Sequence, residues 1–409
     1  MNLLESHDQV SEGKYTIGLG QERMAVCSAA EDAISICLTA FSRLLKRFNL
    51  EAKDIGRIEV GSESNPDRAK AIKSHLVSLL GRLPIAGSDN VQACYGGTAA
   101  LLNASAWLES SQWETGKYAV VVAGDVAIYE GGGARATGGA GAVAVLLARG
   151  SADAPIRIEK CFGHYAANVY DFYKPDPFSE YPKVDGPLSV TAYLQSALNA
   201  YSDWLRKESP AEHDSKISQL FDKLIFHSPY SKIVYKAFCQ LQLLEPNSPL
   251  KVKDLSKLSE DQLSEIELLF KQKVSNNLEF SRNLGNSYCA SVFFNLLCSL
   301  SNLQQEGTAG CRIGIFSYGS GSMATFFSVR VSNTTGDWWL NDVTSDIRSN
   351  LSNRIKISPQ EYESLMKRRR EMYGISNWAP LEEDLKDLYD GTFYLSQIDS
   401  EHRRTYSQK

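Results

Sequence analysis

The sequence predicts an α/β protein built from two similar halves. Short apolar runs of strand length alternate along the chain with longer segments whose apolar residues recur at helical spacing. Several runs are apolar throughout, which is typical of strands covered on both faces. The order of parts also recurs: strand, polar turn, helix, second helix, buried strand, glycine-rich turn, strand. This pattern predicts helices layered around sheets in a duplicated unit.

In the first half, three segments predict helices and three predict strands. The earliest helix, at 24–48, has acidic residues near its start and basic residues near its end, which suits the helix dipole. The remaining segments are a strand at 57–61, a helix at 67–80, a small-residue helix at 98–109, and strands at 118–124 and 141–148.

The second half repeats this order. Residues 186–222 are predicted to be mainly helical and to bridge the halves, and 331–409 form a polar region ending in a strand at 391–395. We therefore divide the chain into 1–185, 186–330 and 331–409. The repeated parts are a strand at 223–226, a helix at 230–234 after Pro229, a helix at 286–300, and strands at 312–316 and 324–329.

The composition is that of an ordinary globular chain of 409 residues, 43% hydrophobic, with 43 basic and 48 acidic residues and a net charge of −5. The charges form no long basic run, so we expect no nucleic-acid partner. No stretch of about 18 apolar residues occurs, so we expect no membrane span. The eight cysteines include no C-x-x-C pair, and we expect neither a disulfide framework nor a metal site.

Cys94 is the first candidate for chemistry. It lies between a short extended stretch and the predicted start of a helix, with Gly96 and Gly97 close behind it. Backbone N–H groups and the helix dipole at such a position lower the pKa of a thiol and favour the nucleophilic thiolate. Free cysteines are also among the most buried residue types, so a packing role is the commoner outcome for a cysteine considered alone.

Glu63 and His227 each follow a predicted strand, where α/β folds place their sites. A carboxylate in an apolar cleft can have its pKa raised into the range of a general acid or base, and an imidazole can orient and polarise a carbonyl group. Taken singly, Glu63 is more often a solvated turn residue and His227 a satisfied core histidine. Sequence spacing alone does not show that Glu63, Cys94 and His227 converge.

Two further features concern phosphate groups. The glycine-rich loop 130–139 loosely matches a dinucleotide-binding pattern, but a strand rather than a helix follows it, so we reject a dinucleotide site there. Lys232 and Lys236 lie at i and i+4 and share a helix face beside His227. This pair is either a solvated surface or a site for the phosphates of a substrate.

Eight short motifs then occur in a fixed order along the chain. They are GKYTIGLGQ (13–21), EVGSE (59–63), ACYGGTAA (93–100), DFYKP (171–175), SEYP (179–182), VDG (184–186), FHSPY (226–230) and FSYGSG (316–321). Together they closely resemble the eukaryotic-type 3-hydroxy-3-methylglutaryl-CoA synthase family. The resemblance extends from about residue 10 to the C-terminal residues 403–406.

The resemblance implies a thiolase-like fold, a duplicated unit in five α/β/α/β/α layers, that forms a homodimer. It implies that Cys94 takes an acetyl group from acetyl-CoA, that Glu63 removes a methyl proton, and that the carbanion attacks the ketone of acetoacetyl-CoA. Water then releases the product, while His227 orients and polarises the acetoacetyl group. Neither a cofactor nor a metal is implied. The family's substrate contacts fall on Thr137, Ser189, Lys232, Lys236, Asn286 and Ser320, with backbone N–H groups of Cys94 and Ser320 forming an oxyanion hole.

Two departures from the family pattern lead to expectations. Gly133 stands where the family usually has Asn, which is expected to weaken one substrate contact. The chain also begins only a few residues before Gly13, so we expect the usual first N-terminal strand to be missing. We further expect that strand to be central, so that its loss leaves the backbone groups of its neighbours unpaired.

The resemblance therefore predicts an acyltransferase of the mevalonate pathway, which leads to isoprenoids and sterols. A catalytically impaired acyl-CoA-binding paralogue, or a truncated form of the same family, is the alternative. A related ketosynthase or thiolase is disfavoured, because those families surround their cysteine with a different histidine pattern. The N-terminus has no signal-peptide or transit-peptide pattern, which favours the cytoplasm, although a shortened N-terminus leaves a mitochondrial location open.

Overall fold

The computed structural model of the chain describes residues 1–81, 84–151, 154–208, 215–245, 249–306, 310–332, 338–372 and 374–409, without the side chains of 304–306 and 338–341. Within these residues, the first half contains α1 (Asn2–His7), α2 (Ala33–Arg47), β1 (Ile55–Gly61), α3 (Ile72–Ser78), β2 (Asp89–Asn90), α4 (Gly96–Glu109), β3 (Tyr118–Ala127) and β4 (Gly139–Leu147).

The second half and the C-terminal region follow. The second half contains β5 (Ile156–Ala166), β6 (Phe172–Tyr173), β7 (Lys183–Val184), α5 (Gly186–Lys207), α6 (Ile217–Leu220), β8 (Lys223–Phe226), α7 (Ser231–Gln242), α8 (Glu260–Lys273), α9 (Glu279–Leu284), α10 (Ser291–Glu306), β9 (Arg312–Gly319) and β10 (Met323–Val331). The C-terminal region contains α11 (Trp338–Ser352), α12 (Pro359–Glu371), α13 (Glu382–Leu385), β11 (Phe393–Ile398) and β12 (Arg404–Gln408).

Two four-stranded sheets carry the duplication. The first has the strand order β2-β1-β3-β4 and the second has the order β5-β10-β9-β8. In the first sheet β1 runs parallel to β3, and β4 runs antiparallel to β3. In the second sheet β8 runs parallel to β9, and β10 runs antiparallel to β9. Because β1, β3 and β4 match β8, β9 and β10 in order and direction, the predicted duplication is confirmed.

The helices form layers around these sheets. Leu101 of α4 and Phe293 of α10 belong to one apolar cluster, which also includes Ala123 of the first sheet and Ile315 of the second. This cluster places α4 and α10 between the two sheets. On the outer faces, α2 packs on β3 and β4, whereas α5 packs on β5 and β10. The result is the α/β/α/β/α layering expected from the resemblance.

Two predicted helices are shorter than the sequence pattern indicated. The helix predicted at 24–48 begins only at Ala33, because the Asp32 side chain caps it by accepting a hydrogen bond from Ser35 N at 2.9 Å. The helix predicted at 67–80 begins only at Ile72, since the Asp67 carboxylate instead accepts hydrogen bonds from backbone N–H groups of a preceding turn. In both cases, side-chain hydrogen bonds to the backbone set a start that apolar spacing does not reveal.

The boundary between the halves also differs from the prediction. We placed it at residue 185, but β5 pairs with β10 over its whole length and so belongs to the second sheet. The division therefore falls near residue 155, between β4 and β5. The sequence pattern did not reveal this, because β5 precedes its partner strands by a long connection.

We expected the missing first strand to occupy a central position in the first sheet, and this expected position is wrong. The first sheet has four strands among the residues described, and β1 and β3 pair with each other directly. In the second sheet the first strand, β5, is an edge strand beside β10. The matching place in the first sheet is the outer edge of β4, so none of the described central strands loses its partners.

Helix α11 packs on α10. Its residues Ile347 and Leu351 pack against the same apolar cluster as Val145 and Leu147 of β4. Near the start of α11, Asp342 forms an ion pair of 2.9 Å with Arg47 of α2. Helix α11 thus contacts both the inner helix α10 and the outer helix α2. No helix in the described part of the chain is both long and apolar enough to cross a membrane.

Gly61 fixes the distance between β1 and α4. A Cβ atom at this position would lie 2.3 Å from Gly97 N and 2.4 Å from Gly97 Cα. Both neighbours are backbone atoms, which cannot move aside as a flexible side chain would. The end of β1 and the start of α4 are therefore held in direct contact.

We expect Gly61→Ala to lower the free energy of unfolding by about 1–3 kcal/mol or more, because the added methyl group overpacks this backbone contact. Urea denaturation followed by circular dichroism measures the change. Gly131→Ala is the matched control, since a Cβ there meets no atom within 4 Å, and its effect is expected within about 0.5 kcal/mol. Equal stability of the two variants would contradict the close contact.

Candidate active site

The structure brings Glu63 and Cys94 together at the end of β1. The Cys94 thiol donates a hydrogen bond to Glu63 Oε1, with 3.3 Å between the sulfur and the oxygen. Glu63 lies two residues after the end of β1 at Gly61, and its side chain is only 5% exposed. Cys94 is half-buried and lies two residues before α4 begins at Gly96. A thiol and a carboxylate thus face each other in a shielded site.

Asp125 of β3 holds the turn that carries Glu63. Its Oδ1 accepts hydrogen bonds from the Ser62 hydroxyl at 2.8 Å, from the Ser64 hydroxyl at 2.6 Å and from Glu63 N at 2.8 Å. Its Oδ2 accepts one from Cys289 N at 3.0 Å, in the second half. Sequence reasoning missed Asp125, although an acidic residue directly after the apolar run 118–124 was a signal of a special role.

Lys174 is a second residue that the site prediction did not include. Its ammonium Nζ lies 3.4 Å from Glu63 Oε2 and donates a hydrogen bond to the main-chain oxygen of Glu63 at 3.1 Å. The same nitrogen lies 5.1 Å from the centre of the Tyr288 ring. The motif DFYKP contains Lys174, but nothing in its spacing from Glu63 indicates the contact.

Three aromatic side chains form a wall beside Cys94. Tyr129, Phe172 and Tyr288 meet edge to face, with ring centres 5.8–6.4 Å apart. Cys94 packs against the same small apolar cluster. On its own side, such a wall shields the thiol from water, which strengthens the electrostatic interaction between the thiol and the carboxylate.

The charges and the burial at this site change the expectation for Cys94. Burial raises the pKa of the Cys94 thiol well above its usual range, and the adjacent Glu63 carboxylate raises it further. The expected lowering by the helix start is therefore wrong for the ligand-free site, because desolvation and a facing anion outweigh it. Burial likewise raises the pKa of Glu63, although the Lys174 ammonium opposes that shift.

His227 is buried at the end of β8 and is 1% exposed. Its main-chain N–H donates to Phe316 O at 2.7 Å, and Tyr193 donates its hydroxyl to His227 O at 2.6 Å. Within the described chain, neither ring nitrogen has a hydrogen-bond partner. Burial lowers the pKa of His227 to about 3, so the ring is neutral at pH 7. Both ring nitrogens are thus buried without a hydrogen-bond partner among the described residues.

No hydrogen bond or ion pair in the described residues joins His227 to Cys94 or Glu63. The start of α10 connects them indirectly. Ser228 N donates to Ser291 Oγ at 3.0 Å, and Cys289 Sγ donates to Ala93 O at 3.2 Å. The loops that carry His227 and Cys94 are therefore both hydrogen-bonded to the same short segment of the second half, residues 289–291.

Three of the predicted substrate contacts lie close to this centre. Asn286 N donates to Thr137 O at 3.1 Å, and Asn286 Oδ1 accepts from the backbone of Tyr288 at 2.9 Å. Ser320 adjoins Gly319, where an added Cβ would lie 2.4 Å from Gln92 O and 2.6 Å from Tyr95 N. The turn of Ser320 therefore packs directly on the loop of Cys94.

The other predicted contacts lie at the surface of α5 and α7, which pack against each other. Ser189 is half-buried near the start of α5, Lys232 is exposed on α7, and Lys236 is half-buried on α7. None of these three has a hydrogen bond or ion pair to Cys94 in the part of the chain described. Gly133 is exposed, and an added Cβ there would meet no atom within 4 Å.

A cavity of about 300 Å³ lies beside the charged pair and is lined by Glu63, Lys174, Arg68, Asp176 and Glu180, among others. Both Glu63 and Lys174 therefore border open space that water can fill. No group of three or more His, Cys, Asp or Glu side chains suited to a metal ion occurs among the described residues.

We expect Glu63→Gln to speed alkylation of Cys94 by iodoacetamide at pH 7–8 by about tenfold or more, since losing the facing negative charge lowers the thiol pKa and each unit raises the thiolate fraction about tenfold. Peptide-resolved mass spectrometry measures the rate. Glu180→Gln is the control, because Glu180 lines the same cavity but pairs with Arg369. An unchanged Cys94 rate in Glu63→Gln would refute the electrostatic coupling.

Comparisons with known proteins identify the family of this chain. The family model described as Hydroxymethylglutaryl-coenzyme A synthase N terminal matches residues 2–155, and the one described as Hydroxymethylglutaryl-coenzyme A synthase C terminal matches 156–409. The mitochondrial hydroxymethylglutaryl-CoA synthase of Homo sapiens is 39% identical over 440 residues, which cover 99% of this chain and 85% of that protein. The cytoplasmic form of Gallus gallus is 40% identical over 441 residues, covering 99% and 83%.

Solved structures give the same result. MvaS in complex with 3-hydroxy-3-methylglutaryl coenzyme A superposes with a TM-score of 0.85 at 30% identity, covering 100% of this chain and 94% of that one. The HMG synthase of the curacin biosynthetic pathway, in complex with holo donor-ACP, superposes with a TM-score of 0.84 at 27% identity, covering 100% and 95%. The thiolase-like fold is confirmed, and the chain belongs to the hydroxymethylglutaryl-CoA synthase family.

Proposed function

We propose that this chain condenses acetyl-CoA with acetoacetyl-CoA and water to give 3-hydroxy-3-methylglutaryl-CoA and free CoA. The observation that carries this proposal is the 3.3 Å contact between Cys94 Sγ and Glu63 Oε1 inside a shielded site. A nucleophile and a base in hydrogen-bond contact are what covalent acyl transfer followed by proton abstraction requires.

In the first step Cys94 takes the acetyl group. Its S–H donates to Glu63 Oε1, so the carboxylate can accept the thiol proton as the sulfur attacks the carbonyl carbon of acetyl-CoA. The bond from that carbon to the sulfur of CoA then breaks, and CoA leaves with a proton. Backbone N–H groups at Cys94 and Ser320 are proposed to stabilise the oxyanion that forms in between.

In the second step Glu63 removes a proton from the methyl group of acetyl-Cys94. The raised pKa of this buried carboxylate makes it a stronger base than an exposed glutamate. The resulting carbanion attacks the ketone carbon of acetoacetyl-CoA and forms the new carbon–carbon bond. The carbonyl electron pair moves to the ketone oxygen, which takes up a proton, balancing the one removed from the methyl group, and becomes the 3-hydroxyl group. His227, with a neutral ring and two unpartnered nitrogens, is proposed to orient and polarise that ketone.

In the last step water hydrolyses the thioester on Cys94, which releases 3-hydroxy-3-methylglutaryl-CoA and restores the thiol. The cavity of about 300 Å³ beside Glu63 offers water a place next to the reacting groups. The proposed reaction uses protein side chains and water, and neither a cofactor nor a metal.

The remaining residues are proposed to bind the two CoA thioesters. Thr137, Asn286 and Ser320 lie beside the reacting centre and suit the acyl portions. Ser189, Lys232 and Lys236 lie at the surface of α5 and α7, where the ammonium groups suit the phosphates of CoA.

We further propose a homodimer that acts in the mevalonate pathway towards isoprenoids and sterols. Relatives of this chain include both cytoplasmic and mitochondrial forms. We propose the cytoplasm for this chain, as for the cytoplasmic forms among these relatives. Light scattering of the purified protein and fractionation of its source cells test these two proposals.

We expect wild-type protein incubated with acetyl-CoA to gain one acetyl group on Cys94, detected as a mass shift of the peptide that contains it. Glu63→Ala is expected to keep this acetylation but to lose condensation by at least about a thousandfold, because no base remains for the methyl proton. Acetylation survives because the facing anion that raises the thiol pKa is removed with the base.

Cys94→Ser is the control for the site of acetylation, and a product assay with acetoacetyl-CoA measures condensation. Folded wild-type protein that fails to become acetylated would disprove the proposed function. Binding of CoA thioesters without turnover would instead support the alternative, a catalytically impaired paralogue.

We expect Lys232→Ala with Lys236→Ala to raise the KM for acetyl-CoA about three- to tenfold, because each lost contact of an exposed ammonium with phosphate is worth at most about 1 kcal/mol. The KM for acetyl-pantetheine, which lacks the nucleotide phosphates, serves as the control and should not change. An equal change for both substrates would show that the lysines do not act on phosphate.

A further inference from the structure

The Glu63 carboxylate has two different partners, one at each oxygen. Oε1 accepts the hydrogen bond from the Cys94 thiol at 3.3 Å, and Oε2 lies 3.4 Å from the Lys174 ammonium. Lys174 also donates to the main-chain oxygen of Glu63 at 3.1 Å. The lysine therefore contacts both ends of the glutamate and leaves only Oε1 to face the nucleophile.

The surroundings of the pair make this contact strong. The Lys174 side chain is 21% exposed and the Glu63 side chain 5% exposed, so little water screens their attraction. The ammonium also lies 5.1 Å from the centre of the Tyr288 ring and 5.9 Å from that of Phe172. Contact with ring faces stabilises a buried cation, so Lys174 is itself held in place.

The other charged and titratable groups around Glu63 do not replace this cation. Asp125 lies behind the turn and adds a second negative charge, and Cys94 is a thiol. Lys174 is the cation acting on both Glu63 and Cys94 among the described groups. The other titratable groups facing this centre are the phenols of Tyr129 and Tyr288, the thiol of Cys289, and Arg68, Asp176 and Glu180 across the cavity.

We propose that Lys174 is a positioning residue that keeps the Glu63 carboxylate ionised and aimed at the group on Cys94. The proposal rests on the proposed function, since it assigns Lys174 a part in the proton abstraction by Glu63. Without the ammonium, a buried carboxylate beside Asp125 would take up a proton at neutral pH and could no longer act as a base. It would also lose the contact that turns Oε1 towards Cys94.

Replacing the lysine tests the effect on ionisation. In Lys174→Met, the acid limb of the pH profile for condensation is expected to move upward by about 1–3 pH units, because an ion-paired carboxylate loses its cation. Lys174→Arg keeps the positive charge, and its acid limb is expected to lie within about 0.5 pH unit of that of the wild type. Condensation is measured as a single turnover from enzyme already acetylated on Cys94. Lys183→Met, an exposed residue nearby, is the control for loss of a positive charge.

Chemical rescue tests whether the cation itself is what matters. Lys174→Ala leaves a space that joins the cavity of about 300 Å³, which is large enough for a small alkylammonium ion. Adding ethylammonium is expected to restore condensation by at least about tenfold in Lys174→Ala and to leave the wild type unchanged. Ethanol, of similar size and without charge, should not restore it.

Direct titration of the Glu63 carboxyl group tests the role of Lys174 without measuring turnover. The carboxyl carbon of Glu63, followed by ¹³C NMR in labelled protein and assigned with Glu63→Gln, should titrate at a higher pH in Lys174→Met than in the wild type. An unchanged titration, or a uniform loss of rate at all pH values without rescue, would overturn the role of Lys174. Failure of the wild type to acetylate Cys94 would overturn the proposed function alone, since the titration still tests Lys174.

Discussion

The geometry of the site depends on the buried carboxylate of Asp125. One of its oxygens accepts hydrogen bonds from the turn that carries Glu63, and the other accepts one from the backbone of Cys289. A buried charge is tolerated only when hydrogen bonds replace its lost hydration, and here they come from both halves of the duplicated fold. Asp125 of β3 thus fixes the position of Glu63 relative to the loop that carries Cys94. Gly61 and Gly319 permit this by letting backbone approach backbone on either side.

The site is electrostatically unusual because its anion faces its nucleophile. A thiolate would be easier to form beside a cation, yet the residue in contact with Cys94 is Glu63. The arrangement becomes reasonable when the carboxylate is regarded as a base with two successive partners, first the thiol proton and then the methyl proton of the acetyl group. The single ammonium of Lys174 is placed on the glutamate rather than on the sulfur. Lys174 therefore stabilises the ionised form of the base, Glu63, rather than the thiolate form of Cys94.

Much of the fold was predictable from the sequence because buried strands and amphipathic helices leave periodic patterns. The duplication and the strands ending at Gly61 and Phe226 followed from such patterns. The start of α2 did not, since side-chain capping decides it, with Asp32 Oδ1 accepting a hydrogen bond from Ser35 N. The edge position of the first strand was also missed, because strand order depends on pairing between distant segments. The resemblance supplied the roles of Glu63, Cys94 and His227, whereas Asp125 and Lys174 emerged only from contacts in three dimensions.

The contacts that complete the site have a consequence for how the chain folds. Cys289 Sγ reaches Ala93 O across 196 positions of the sequence, and Thr98 Oγ1 reaches Ser317 Oγ across 219. Contacts between such distant segments form late, because closing long loops costs entropy before any contact compensates it. A growing chain would therefore fold its first sheet well before Cys94 acquires its final surroundings. Cys94 becomes enclosed only when the second half has docked on the first. A chain whose second half is not yet synthesised therefore has an incomplete site.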